Sequence, residues 1–200
     1  MITIVSGLPR SGTSLMMQML GAGGLPLLCD GQRVADTDNP RGYCEWERIK
    51  LLPKEPGCIV EAEGKAVKVI SQLLFALPVG HDYQIIFMHR PLPEVVSSQA
   101  EMIRRRGTSA PAVPEAALMA GLKAHLNQVN AWLAQKVSIR VNRVEYHSVL
   151  DNPRSAAENV QSFLQMNLDI ESMARQVDRS LYRQRNALDE NGPRAGPSLT

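Results

Sequence analysis

Residues 1–14 constrain this chain more than any other stretch. The short apolar run Ile2-Thr3-Ile4-Val5 is rich in β-branched residues and empties into Gly7-Leu8-Pro9-Arg10-Ser11-Gly12-Thr13-Ser14. This pattern predicts a strand, a tight loop and a helix start. Leu15, Met16, Met19 and Leu20 then fall at helical spacing before glycines end the run. Gly7 and Gly12 let the backbone curl so that successive N–H groups point inward, and the following helix adds the positive end of its dipole. A loop of this kind wants a phosphate-like group. The usual phosphate loop, G-x-x-x-x-G-K-[ST], sends a lysine to the terminal phosphates and a hydroxyl to magnesium. Here Thr13 stands in the lysine's place and the loop's cation is Arg10.

The 200 residues are 44% hydrophobic, enough for one sizeable core. A single domain over residues 1–186 is expected, with residues 187–200, dominated by Asn, Gly, Pro and Ser, forming a disordered tail. A net charge of +2 is too small for a dedicated nucleic-acid or membrane-surface binder, so any basic character acts locally. The first strand begins at residue 2 and no 18 apolar residues run together, which predicts a soluble cytoplasmic protein without leader or membrane span. Cys29, Cys44 and Cys58 show neither C-x-x-C spacing nor a neighbouring histidine cluster. They read as three free thiols, with no metal site.

Gly23-Gly24 and Pro26 open a long loop that runs to Tyr43 and carries Asp30, Asp36, Asp38 and Arg41. Glu45 closes it, followed by a short expected helix to Leu52 that Pro53 stops. Loops of this length inside a compact domain are commonly functional. The next strand, Ala66-Val67-Lys68-Val69-Ile70, sets a lysine among four apolar neighbours. Such a lysine finds an anion or, on an edge strand, snorkels to water. A third strand, Gln84 to Met88, ends at His89-Arg90-Pro91 and leads into a helix opened by Pro93 and Glu94. His89 reads as structural. No acid closes that strand, which argues against a magnesium-dependent phosphotransferase. Arg104-Arg105-Arg106 suits the helix C-terminus, and Thr108 to Pro114 forms a connection. A long helix, Pro114 to Gln135, is expected to bury Leu118, Leu122, Leu126, Val129 and Leu133. After it come a fourth strand, Ser138 to Tyr146, and a helix opened by Asn152-Pro153.

The words PRSGTS resemble the sulfotransferase family, and the loop arginine is most similar to members such as the protein-tyrosine sulfotransferases. The resemblance implies an α/β fold: a parallel sheet flanked by helices, of the P-loop nucleoside-triphosphate-hydrolase-like (sulfotransferase) kind. It also implies 3′-phosphoadenylyl sulfate (PAPS) as donor, adenosine 3′,5′-bisphosphate (PAP) as product, no metal, and a small-molecule acceptor; whether the chain forms a homo-oligomer is left open. Pro9, Arg10, Ser11, Gly12, Thr13 and Ser14 would then hold the 5′-phosphosulfate. Arg90 and Ser98, with Ser97 as a one-off alternative, would hold the 3′-phosphate, and Tyr146 would lie against the adenosine. Arg179, Arg183 and Arg185 occupy the place of a basic segment over that phosphate. Arg10 and Lys68 are the cations for the transferring group. Ile70 stands where cytosolic members carry a catalytic histidine, so a carboxylate must take the acceptor's proton: Asp30 first, Glu45 second. Two other readings stay open, an ATP-dependent small-molecule kinase and a non-catalytic nucleotide-binding or assembly protein that keeps the pocket.

Overall fold

A computed structural model describes residues 1–36, 39–105, 107 and 114–182. Four strands, β1 (Ile2–Gly7), β2 (Ala66–Lys68), β3 (Tyr83–His89) and β4 (Ile139–Glu145), form an all-parallel sheet in the order β2-β1-β3-β4. The helices are α1 (Thr13–Ala22), α2 (Leu92–Arg105), α3 (Glu115–Ala134), α4 (Tyr146–Asp151), α5 (Pro153–Leu164) and α6 (Ile170–Ala174). Parallel neighbours need crossover connections, and the short apolar strands with intervening amphipathic segments supply them. The chain is therefore an α/β protein, as the resemblance implies.

Alternation along the strands divides the core between two faces. Ile2, Ile4, Val67, Ile85 and Phe87 pack with Val129 and Leu133 of α3 and with the segments around Ile49, Ile59 and Leu74. Val5, Ile86, Met88 and Val144 pack with Met16, Met17, Met19 and Leu20 of α1 and with Val160 and Leu164 of α5. Of the five residues expected on the buried face of α3, Val129 and Leu133 are fully buried and the other three are half-buried. The buried part of α3 is thus its C-terminal half.

Two expectations change in the loops. The segment after Glu45 is a 3₁₀ turn, Glu47–Leu51, rather than a regular helix. Cys29 and Cys44 are joined in a disulfide, and only Cys58 is a free thiol. The long loop doubles back on itself, with the Asp30 N–H donating to the Glu45 carbonyl at 3.1 Å. That pairing sets the two cysteine Cα atoms 5.1 Å apart, inside the range a disulfide spans. Sequence spacing showed no sign of this, because a loop's return is not periodic. The expected tail at 187–200, and Asp38, Arg106, Arg183 and Arg185, lie outside the described residues.

Candidate functional site

The strand order reverses beside β1: the chain passes from β1 to β2 on one side and then to β3 on the other. In open parallel sheets, ligands bind outside the carboxyl ends of the strands at such a switch point. A cavity of about 420 Å³ lies there, lined by the Pro9–Leu15 segment, Tyr43, Glu45, Lys68, Arg90, Ser98 and Tyr146, among others.

The loop between β1 and α1 is held by close approach. Gly7 has φ +147°, and a Cβ on it would sit 2.6 Å from the Met88 carbonyl oxygen of the adjacent strand. Gly12 has φ +98°, and its Cβ would meet the Tyr146 ring at 2.5 Å. Both positions therefore require glycine. Arg10, between them, has φ 73°, a left-handed conformation that a residue with a long side chain adopts only when its surroundings enforce it. No side chain caps α1, and its first turn carries no acid. Its leading N–H groups thus face the cavity with the dipole's positive end. The Ser11 hydroxyl is buried in this loop without a hydrogen-bond partner among the described residues.

Two clusters flank the loop. On the β3 side, Arg10 Nε donates to Ser98 Oγ at 2.9 Å, and Arg90 Nη1 donates to the Arg10 carbonyl at 3.1 Å. The guanidinium of Arg90 lies 4.7 Å from the Tyr146 ring centre and 5.4 Å from that of Tyr182. Its Nε donates to Glu94 Oε2 at 2.8 Å, and Glu94 is only 2% exposed. His147 bridges Glu94 and the Tyr182 hydroxyl. Arg179 turns away, onto the Leu150 carbonyl and Asp151.

On the β2 side, Lys68 sits on an edge strand yet is 6% exposed, so it does not snorkel to water. Its Nζ donates to Ser14 Oγ at 3.0 Å, to the Tyr43 carbonyl at 2.6 Å and to Glu45 Oε1 at 3.2 Å. Burial lowers the Lys68 pKa, and Glu45 offsets this only in part. Burial acts to raise Glu45, but Lys68 and Arg33 outweigh it and hold the carboxyl below its ordinary value. Asp30 is different. Its carboxylate is exposed and accepts the backbone N–H groups of Gln32 and Glu47, which hold its pKa down. It does not line the cavity. Asp30, the first of the two expected bases, thus points outward: the loop turns its side chain to cap the 3₁₀ turn.

The strap 39–43 crosses above α1. Gln18 donates to the Gly42 carbonyl, and Arg41 donates to the Gln176 carbonyl and pairs with Asp178. Arg33, Tyr43, Glu94, His147 and Tyr182 joined the site without being singled out in the sequence. Glu94, four residues beyond Arg90, carried a readable signal; the loop residues carried none.

Such an arrangement defines an α/β protein with an anion-suited loop at its switch point, flanked by one cationic cluster on each side. Solved structures refine the class. The chain is similar to the sulfotransferase domain from the curacin biosynthetic pathway (TM-score 0.51, 16% identity, 89% of this chain and 78% of that one). It is similar to sulfotransferase STF1 from Mycobacterium tuberculosis H37Rv (0.57, 16%, 96% and 73%). It is also similar to the sulfotransferase domain of the Synechococcus PCC 7002 olefin synthase (0.55, 16%, 96% and 82%). The fold is that of the sulfotransferases, as PRSGTS implies. No protein-family model and no curated protein sequence matches the chain. Among the described residues, no helix is long and apolar enough to cross a membrane.

Proposed function

We propose that this protein transfers a sulfuryl group from PAPS to a hydroxyl or amine of a small-molecule acceptor. One observation carries the reading. Lys68, at the end of β2, meets both Ser14 of the glycine loop and the carboxylate of Glu45, inside the cavity that also holds Arg90 and Ser98.

The donor fits what the residues offer. The loop from Pro9 to Ser14 and the N-terminus of α1 suit a phosphosulfate, and Arg90, Ser98 and Tyr146 suit a 3′-phosphorylated adenosine. Bound there, the donor supplies a sulfuryl group whose transfer has a loose transition state, with charge gathering on the leaving phosphate oxygen. Lys68 is placed to meet that charge, and Arg10, whose Nη groups make no hydrogen bond among the described residues, is its partner cation. Glu45 takes the acceptor's proton. As a carboxylate held low it is a weak base, suited to accept the proton late, once bonding to sulfur has acidified the acceptor. Ile70, 40% exposed and lining the cavity, adds apolar wall in place of a histidine.

Thermal melts with PAP, with ATP plus magnesium, and with neither test the donor. Selective stabilisation by the bisphosphate, about 2.7 kcal/mol at a hundredfold excess over Kd, is expected. Stabilisation by ATP alone would favour a kinase instead. Stabilisation by PAP without turnover on any of a panel of alcohols, phenols and amines would favour the non-catalytic reading.

A further inference from the structure

Lys68 has three N–H donors, and all three are engaged: Ser14 Oγ, the Tyr43 carbonyl and Glu45 Oε1. Resting on the proposed sulfuryl transfer, an approaching anionic donor must take one of them. The contact to Glu45 is the longest, at 3.2 Å, and an incoming anion competes with that carboxylate for the same ammonium charge. Glu45 would then lose a cationic partner just when it must be ionised and correctly aimed.

A second cation answers this. Arg33 Nη1 donates to both oxygens of Glu45, at 2.9 Å and 3.1 Å. Its guanidinium carbon lies over the Tyr43 ring, 3.4 Å from the ring centre, and the Tyr43 hydroxyl donates to both oxygens of Asp36, at 2.7 Å and 2.9 Å. The chain Asp36–Tyr43–Arg33–Glu45 is thus clamped within one loop, whose ends are tied by the Cys29–Cys44 disulfide and the Asp30–Glu45 backbone bond. A planar, stacked guanidinium keeps its geometry far better than a flexible ammonium.

We propose that Arg33 is the positioning residue of this site: it holds Glu45 ionised and aimed at the acceptor while Lys68 turns to the transferring group. Arg33 does not meet the acceptor's reacting atom; it acts through Glu45. The charged groups facing Glu45 are Lys68 from β2 and Arg33 from the loop, with Tyr43 and Asp36 behind Arg33.

The test follows the Glu45 carboxyl carbon by ¹³C NMR through a pH titration of the PAP-bound protein, with the signal assigned by Glu45→Gln. The same pH series is run for kcat/KM. Arg33→Gln should move the Glu45 titration upward by about one pH unit or more, and the acid limb of the rate profile with it, since an opposite charge at this distance lowers a carboxyl by about 1–3 units. PAP affinity should stay within about twofold, because Arg33 lies outside the residues assigned to the nucleotide. Arg33→Lys should restore most of the titration but only part of the rate, having charge without the two-point hold. A rate loss in Arg33→Gln with both titrations unmoved would overturn the role, as would an unchanged rate and profile. A shifted NMR titration in a protein that transfers no sulfuryl group would uphold the hold on Glu45 while sinking the transferase reading. The two failures are therefore distinct.

Discussion

Arg90 and Glu94 form a buried ion pair four residues apart, Nε to Oε2 at 2.8 Å, with the carboxylate side chain only 1% exposed. Removing one partner of such a pair strands the other charge, which costs about 3–5 kcal/mol. If Arg90 did nothing but hold the 3′-phosphate, Arg90→Ala would weaken nucleotide binding and leave the fold intact. The structure instead predicts a destabilised variant, with an urea midpoint well below wild type. The clean comparison is Arg90→Gln/Glu94→Gln against wild type, since the double variant removes Arg90 without stranding Glu94. Calorimetry should show PAP binding weaker by about 1.5–3 kcal/mol in the double variant, the worth of a charge-assisted bond. Equal affinities would remove Arg90 from the anion site.

The two candidate carboxylates point to different places. Glu45 lies in the cavity beside Lys68, and Asp30 caps backbone N–H groups at the surface. In single-turnover kinetics Glu45→Gln should slow transfer by roughly 10²–10⁴-fold with PAP affinity retained, the range for loss of a general base. Asp30→Asn should leave the rate within about threefold, its effect confined to a modest loss of stability from a weakened cap. A slow Asp30→Asn variant beside a normal Glu45→Gln would reverse the assignment.

The pH profile follows from the same pair. In the proposed transfer Glu45 works ionised, and its pKa is lowered from 4.5, so the acid limb of kcat/KM should lie below that value and the rate should be flat through pH 6. Lys68 works protonated, and its pKa is lowered from 10.5, so the basic limb should fall below that value. Lys68→Arg, which stays protonated to high pH, should abolish the basic limb even if it slows the reaction. A limb unchanged in that variant would assign it to another group.

What was legible in the sequence was what local chemistry dictates. Gly7 and Gly12, with β-branched residues before and an apolar helical face after, announce a strand, a loop and a helix, and the structure places Arg90, Ser98 and Tyr146 around them. Lys68 stood out because a charge amid apolar neighbours needs a reason. The loop from Gly23 to Glu45 was opaque. Its conformation is set by contacts between residues far apart in the chain: Lys68 with Tyr43, Gln18 with Gly42, Arg41 with Gln176 and Asp178. No period of two or 3.6 residues encodes such contacts. Asp30 was favoured over Glu45 because spacing was the only guide available, and spacing along a loop does not say which way a side chain turns. Arg33 escaped notice for the same reason.

The Cys29–Cys44 disulfide makes the last prediction, because it closes the loop that carries Arg33 and Tyr43 and delivers Glu45. Before reduction, thiol titration of the unfolded chain should find one reactive group, Cys58; after treatment with a dithiol it should find three. The bridge spans a sequence separation of 15, and a cross-link of that length restricts the unfolded chain by about 3 kcal/mol. At about 2–4 °C per kcal/mol for a chain of this size, reduction should lower Tm by roughly 6–12 °C. Cys29→Ser/Cys44→Ser should start at the lower Tm and ignore the dithiol. The residues assigned to the nucleotide sit on the β1–α1 loop, just after β3, on α2 and at the start of α4, outside the bridged segment, so PAP affinity should change by less than about threefold. Transfer should suffer more, since the freed loop no longer holds Arg33 and Tyr43 against Glu45 and Lys68. A thiol count of three in the untreated protein, with a Tm indifferent to dithiol, would mean that the loop keeps its course through the Asp30–Glu45 and Lys68–Tyr43 bonds alone.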